Sequence, residues 1–262
     1  MPSYRVETLA ASPELTLTHW ICDGHDGRRA EPERIVGDRV VVPLRGRFAF
    51  RAPRVQAVAS PCEGLFLRDG MTFEITHPHG EGDVCMAISG PLAARLVDAG
   101  PCRRPVSLRA QLVLAALARR RAPPLVAAEA LGLALAPGPE RPPARRRDEA
   151  LAARLAHEIA LRFDERLGLI DLAARAGVSV FHACRAFRRV TGGSLHRFQR
   201  ELRLRHALAL VVGTHRPLTE IAYVAGFANQ GHFGNQFRGR FGVSPGGARR
   251  DPSRIRRGEW PS

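Results

Sequence analysis

Between Gly168 and Pro245 the chain carries the same local pattern twice. The first copy reads Leu172-Ala173-x-x-Ala176-Gly177-Val178-Ser179 and leads into a run ending near Val190; the second reads Ile221-Ala222-x-x-Ala225-Gly226-Phe227-Ala228-Asn229 and leads into a run ending near Phe241. Ala173 and Ala222 stand 49 residues apart, as do Gly177 and Gly226, whereas Ser179 and Asn229, like Phe187 and Phe237, stand 50 apart. One extra residue in the second turn accounts for the step, so the pattern is an internal duplication.

Each copy predicts a helix, a tight turn and a second helix. The small alanines allow two helix backbones to approach closely. Gly177 and Gly226 stand where the first helix must end, in a left-handed position that glycine enters without steric cost. Ser179 and Asn229 are then N-caps for the helices that follow. This is the sequence form of a helix-turn-helix, whose second helix enters the DNA major groove. A single copy fits an ordinary helical hairpin equally well; two copies at matched spacing in a basic segment favour DNA.

The charge supports that reading by where it lies. The net charge is +15, and all 40 basic residues are arginine. Residues 148–262 hold nineteen arginines against ten acidic residues, and 137–147 hold four against one, whereas 1–136 hold seventeen against fourteen. The excess sits in the duplicated half and its approach, as expected where phosphates are neutralised. No run reaches the eighteen or so apolar residues of a membrane span, and no signal-peptide order appears at the start, so a cytoplasmic protein is expected. Five cysteines (Cys22, Cys62, Cys85, Cys102 and Cys184) form no C-x-x-C pair, which argues against a disulfide framework or a zinc finger.

Four segments follow from the chain order: 1–136, a linker at 137–147, 148–250, and a basic tail at 251–262. In the first, strands are predicted over Leu15–Cys22, Arg39–Leu44, Gly46–Arg51, Gly64–Leu67, Met71–Thr76 and Asp83–Ile88. Turn signals separate them at Pro43 to Gly46, at Asp69-Gly70 and over His79 to Asp83. The alternation favours a small antiparallel barrel or sandwich. Helical composition follows over 91–136, around Leu108, Leu112, Ala115 and Ala116 and again over Leu125–Ala136; these helices fit core cover and a dimer surface equally. The Pro- and Arg-rich linker PGPERPPARRR is expected to be extended and mobile. Beyond it, Leu151, Leu155, Ile159 and Phe163 mark an amphipathic helix, and Ser194 caps a long helix running to about Val212, ended by Gly213. About nineteen residues span roughly 28 Å, against about 34 Å between successive major-groove faces.

With these residues in view, positions 150 to 250 resemble the DNA-binding domain of AraC-family transcription regulators, two helix-turn-helix units joined by one long helix. The match is carried by Leu172-Ala173, Gly177-Val178-Ser179, Phe187-Arg188, Thr191-Gly192, Arg203-Leu204, Ala207, Ile221-Ala222, Gly226-Phe227, His232-Phe233, Phe237-Arg238 and Phe241-Gly242-Val243-Ser244-Pro245. Departures fall at Ala183, Gly231, Gly234, Gly239 and Gly246-Gly247-Ala248. The first half resembles the cupin-type sensor domain that such regulators carry, through Val42-Pro43-Leu44-Arg45-Gly46-Arg47-Phe48 and His77-Pro78-His79-Gly80-Glu81-Gly82-Asp83. The resemblance implies a mainly β, cupin-like barrel with following helices, then an all-α double helix-turn-helix. It implies double-stranded DNA and RNA polymerase as partners, an unknown small-molecule effector, and a homodimer formed through residues 1–136.

Spacing turns Ala183, Ala186 and Phe187 inward and leaves Val180, Phe181, His182, Cys184, Arg185 and Arg188 for DNA. In the second copy Phe233 and Phe237 turn inward, leaving Gln230, His232, Asn235 and Arg238. Arg185 is the leading base reader, since a guanidinium bonds guanine O6 and N7 bidentately; Gln230 and Asn235 suit adenine, and Arg238 suits phosphate. His77, His79 and Cys85 are the candidate effector-pocket residues. With Glu74 and Glu81 the same group resembles a cupin metal site, but Pro78 interrupts the strand alternation, so neither metal nor cofactor is expected. Cys22 and Cys85 are weighed as a thiol pair and read as structural. The expectation is therefore an effector-controlled, sequence-specific transcription regulator that is not an enzyme; the alternative is a metal-dependent cupin enzyme fused to a DNA-binding domain.

Overall fold

The computed structural model describes residues 4–24, 32–53, 55–77, 82–99, 102–119, 131–132, 135 and 146–256. They divide into two units, 1–138 with Val212–Thr214, and 139–211 with 215–262.

Among the described residues of the first unit ten strands build two antiparallel sheets. The strands are β1 (Tyr4–Ala11), β2 (Thr16–Cys22), β3 (Glu33–Arg34), β4 (Arg39–Arg45), β5 (Phe48–Ala52), β6 (Val55–Ala59), β7 (Glu63–Leu67), β8 (Thr72–Thr76), β9 (Asp83–Ser89) and β10 (Arg103–Pro105). Six pair in the order β1-β2-β9-β4-β7-β10 and four in the order β3-β8-β5-β6. Strand alternation gives the larger sheet two buried faces. Val40, Val42, Phe66, Met86 and Ile88 pack against helices α1 (Pro91–Asp98) and α2 (Leu108–Ala118), through Leu92, Leu96 and Leu114. Leu65, Leu67 and Cys85 face the other way and join Phe48, Phe50, Ala57, Ala59 and Phe73 of the smaller sheet. The mainly β first half with following helices is as expected.

Several details differ from the sequence reading. Pro43, read both within the strand Arg39–Leu44 and as the start of a turn signal, lies inside β4, where a register shift between Pro43 and Arg45 accommodates a residue without an N–H. The strands β1, β3, β6 and β10 were not anticipated; β1 pairs only with β2 and is mostly exposed, so it lacks the alternation that marks a half-buried strand. Of the predicted run Leu125–Ala136, only Leu131, Gly132 and Leu135 fall among the described residues, in helical conformation.

The described residues of the second unit form helices and the turns between them. Its elements are α3 (Arg146–Leu161), α4 (Leu169–Arg175), α5 (Val180–Thr191), α6 (Leu195–Gly213), α7 (Leu218–Val224), α8 (Gln230–Phe241) and α9 (Pro245–Arg250). Helix α3 starts at Arg146, so the last two residues of the proposed linker are helical; residues 137–145 lie outside the described set. Leu151, Leu155 and Ile159 are buried on α3, while Phe163 is buried in the turn beyond it.

Three glycines do not break α8, which runs unbroken through Gly231, Gly234 and Gly239. A methyl group at Gly234 or Gly239 would meet nothing within 4 Å. Each carries the full backbone-entropy cost of a helical glycine, so Gly234→Ala and Gly239→Ala are each expected to stabilise this unit by about 0.5–1 kcal/mol. Denaturant unfolding of the whole chain followed by helical circular dichroism checks this.

Candidate nucleic-acid interface

The two motifs are built alike. Gly177 adopts φ +66° and Gly226 φ +81°, each ending the first helix of its motif. The Ser179 hydroxyl oxygen accepts the His182 N–H at 3.2 Å, and the Asn229 side-chain oxygen accepts the His232 N–H at 2.8 Å. Both second helices therefore begin with a satisfied cap. They end alike too, on Gly192 and Gly242 in the left-handed conformation.

Burial divides each second helix into two faces. On α5, Ala183, Ala186 and Phe187 are buried, and Phe187 meets Phe198 of α6 edge-on. Phe181, His182, Arg185 and Arg188 are exposed, whereas Val180 and Cys184 are half-buried at the margin. On α8, Phe233, Phe237 and Phe241 form an edge-to-face ladder within the core, and Gln230, His232, Asn235 and Arg238 are exposed.

The Arg185 guanidinium lies 4.8 Å from the centroid of the Phe181 ring, and that ring is 70% exposed. Stacking on an aromatic face restrains a side chain that otherwise samples many rotamers. Arg189, one turn on, is instead tied to the buried Asp148 at 2.5 Å. The neighbouring arginines of α5 are thus sorted: Arg189 is anchored to α3, and Arg185 is directed outward on its aromatic support.

Helix α6 runs nineteen residues between the motifs, and its Ser194 side chain accepts the Arg197 N–H at 3.2 Å. Arg203 donates to the carbonyls of Phe163 at 2.5 Å and Glu165 at 2.6 Å, and Gln199 donates to the same two at 3.0 and 2.9 Å. Burial lowers the Arg203 pKa, with Asp164 acting in the opposite direction. From the other motif, Arg240 grips Glu201 with two bonds of 2.8 Å. Gly226 closes the set, because a methyl group there would sit 2.6 Å from Asp164 Cα. The turn of the second motif therefore rests directly on the 163–165 turn that follows α3.

Arg203 was legible only as part of a resemblance, and Gln199, Glu201, Arg240 and Asp148 were not singled out at all. Their partners lie 34 to 41 residues away, beyond any local pattern. A cleft lined by His196, Arg197, Arg200, Arg203, Phe227 and His232 was likewise missed. The helical period of α6 was the one signal that places Arg197, Arg200 and Arg203 along neighbouring faces.

In the first unit, His77 and Cys85 do come together, both buried and both bonded to Asp83. His79 and Glu81 lie outside the described residues. Glu74 does not join them: it alternates with the inward-facing Phe73 and Ile75 and lines a groove on the smaller sheet with Arg51, Gln56 and Thr76. Burial pushes the Cys85 thiol well above its ordinary range, and the Asp83 carboxylate adds to the effect. Burial raises the Cys22 thiol as well, opposed in part by a backbone hydrogen bond from Gly24. Both are neutral thiols at neutral pH, the less nucleophilic form.

Two capped helix-turn-helix units locked to a common helix define a double helix-turn-helix domain. Residues 172–251 match the family model described as a helix-turn-helix domain. Over 79 residues the chain is 42% identical to the HTH-type transcriptional regulator GlxA of Rhizobium meliloti (strain 1021), a match covering 30% of this chain and 24% of that protein. It is 35% identical over 89 residues to the Right origin-binding protein of Escherichia coli (strain K12), covering 34% of this chain and 31% of that one. Among solved structures it resembles a probable AraC family transcriptional regulator from Rhodopseudomonas palustris, at 30% identity over 37% of this chain and 91% of that one, with a TM-score of 0.34. Residues 172–251 are an AraC-type helix-turn-helix domain. The chain spans less than a third of the length of these curated relatives.

Proposed function

We propose that this chain is a sequence-specific, double-stranded-DNA-binding transcription regulator that places α5 and α8 in successive major grooves on one side of the duplex. The observation that carries the reading is the pair of capped helices with buried inner faces and exposed polar outer faces, held on a single nineteen-residue helix. Nineteen residues rise about 28 Å, close to the roughly 34 Å between groove faces.

The two helices divide the work. On α5, Arg185 reads guanine and Phe181 packs against sugar or a thymine methyl, flanked by Val180, His182, Cys184 and Arg188. On α8, Gln230 and Asn235 suit adenine, while His232 and Arg238 hold the backbone. The cleft arginines Arg197 and Arg200 add phosphate contacts, which fix register without reading sequence. The amino-terminal unit binds a small effector near His77, His79 and Cys85 and forms the homodimer; RNA polymerase is the downstream partner and the cytoplasm the compartment. Among the described residues no helix is long and apolar enough to cross a membrane, which agrees with a chain that works at the chromosome.

Arg185→Ala tests the assignment. Binding to a selected site is expected to weaken by about 1–3 kcal/mol and to lose its preference at one base pair. Arg197→Ala is expected to weaken binding evenly across sequences and to reduce the salt dependence by about one charge. Unchanged affinity together with unchanged base preference in Arg185→Ala contradicts the base-reading role.

A further inference from the structure

We propose that Cys22, His77 and Asp83 form a binding site for a single Zn²⁺ ion in the amino-terminal unit, separate from the DNA-binding surface. The three donors come from different strands of both sheets. Cys22 ends β2, Asp83 begins β9 and is paired with Cys22 in register, and His77 directly follows β8. Their ligand atoms (the thiol sulfur, an imidazole nitrogen and a carboxylate oxygen) all lie within 4.8 Å of one another. Tetrahedral zinc with bonds of about 2.0–2.3 Å sets its ligand atoms about 3.3–3.8 Å apart. Small side-chain adjustments therefore close the triad, with the sulfur moving in and the His77 and Asp83 atoms parting.

The backbone is built to keep these donors close. A methyl group on Gly82 would collide with the Cys22 carbonyl oxygen and lie 2.9 Å from the Asp23 carbonyl carbon. A methyl group on Gly46 would come within 2.7 Å of the Gly82 oxygen and 2.8 Å of Asp83 Cα. Two glycines thus pin the backbone before Asp83 between the end of β2 and the β4–β5 turn. The same place holds the buried hydrogen bond between His77 Nε2 and Asp83 Oδ2. The Cys85 thiol donates to the other carboxylate oxygen at 3.0 Å, which orients Asp83 as outer groups orient metal ligands elsewhere.

The donor chemistry selects the ion. One thiolate, one imidazole and one carboxylate suit Zn²⁺, whereas Mg²⁺ and Ca²⁺ take oxygen ligands. His77 and Asp83 are buried, while Cys22 is half-buried and gives the ion a way in. Three protein ligands leave the fourth position to water or another ligand. On binding, the Cys22 thiol releases its proton and the sulfur lone pair is donated to zinc. The His77 imidazole binds through a nitrogen lone pair and Asp83 through a carboxylate oxygen, with no change of oxidation state.

The test uses the full-length chain without a histidine tag, stripped with chelator and titrated with Co²⁺ as the spectroscopic probe. One equivalent is expected to produce a thiolate-to-cobalt charge-transfer band that Zn²⁺ then abolishes. Cys22→Ser is expected to remove the band and weaken Zn²⁺ binding by at least about tenfold, while Cys62→Ser and Cys184→Ser keep both. Asp83→Asn, read in parallel, is expected to weaken binding by a similar factor with Cys22 still present, so the outcome does not depend on one variant folding. Circular dichroism confirms that each variant scored is folded. Failure to bind one equivalent overturns the proposal, as does a band and affinity that survive both Cys22→Ser and Asp83→Asn. Neither result bears on the DNA reading, which is measured separately.

Discussion

Gly226→Ala is expected to cost the carboxy-terminal unit about 2–5 kcal/mol, whereas the equivalent change in the first motif, Gly177→Ala, costs only about 1–2 kcal/mol. Both glycines hold positive φ, and forcing alanine there costs about 1–2 kcal/mol in either place. The difference lies in what each faces. A methyl group at position 177 meets nothing within 4 Å, but at position 226 it would sit 2.6 Å from Asp164 Cα, against main chain that cannot rotate away. Displacing that turn strains the backbone and disturbs the carbonyls that Arg203 and Gln199 hold, which adds a packing cost of about 1–3 kcal/mol or more. Denaturant unfolding of the two variants, followed by helical circular dichroism, checks the ordering. Equal losses would mean that the two turns are mechanically equivalent.

The second large effect is at Arg203. Arg203→Ala is expected to destabilise the same unit by about 2–4 kcal/mol, because it removes charge-assisted bonds to the Phe163 and Glu165 carbonyls. Gln199 still donates to both, so the carbonyls are not wholly abandoned, and this keeps the loss from reaching the sum of two such bonds. Arg203→Lys should recover only part of it, since one ammonium lacks the planar fork that reaches both oxygens. Arg203 and Gly226 act on the same turn, at Phe163–Glu165. The double variant Arg203→Ala/Gly226→Ala is therefore expected to lose less than the two single losses added, as coupled sites do. Strict additivity in the unfolding data would separate the two contacts.

What was legible in the sequence follows from the range of the physics involved. Caps, turn glycines and apolar periodicity are local. Ser179, Asn229, Gly177 and Gly226 occupy the predicted roles, and the inward set Ala183, Ala186, Phe187, Phe233 and Phe237 is buried. Contacts between distant segments leave no local pattern, which is why the Arg203 clamp and the Arg240–Glu201 and Arg189–Asp148 pairs were invisible. The same limit governs the first unit. The motif from His77 to Asp83 was visible, but the arrival of Cys22 depends on the β2–β9 register, which a sequence shows only through strand alternation. Glu74 was grouped with His77 because it is near in sequence, and the two-residue period of β8 puts it on the opposite face from Phe73 and Ile75.

These contacts also sharpen the meaning of the duplication. The copies share caps and turns but not surfaces: α5 offers a guanidinium supported on an exposed ring, whereas α8 carries three glycines among its polar residues. We propose that the two motifs form one asymmetric clamp in which the first specifies sequence and the second chiefly sets position. Selection of DNA from a random pool by the full-length protein tests it most directly. Two short blocks about one helical turn apart are expected, with the more sharply defined block, and only that block, losing a base preference when the selection is repeated with Arg185→Ala. A single block, or two blocks that both keep their preferences in the variant, would contradict it.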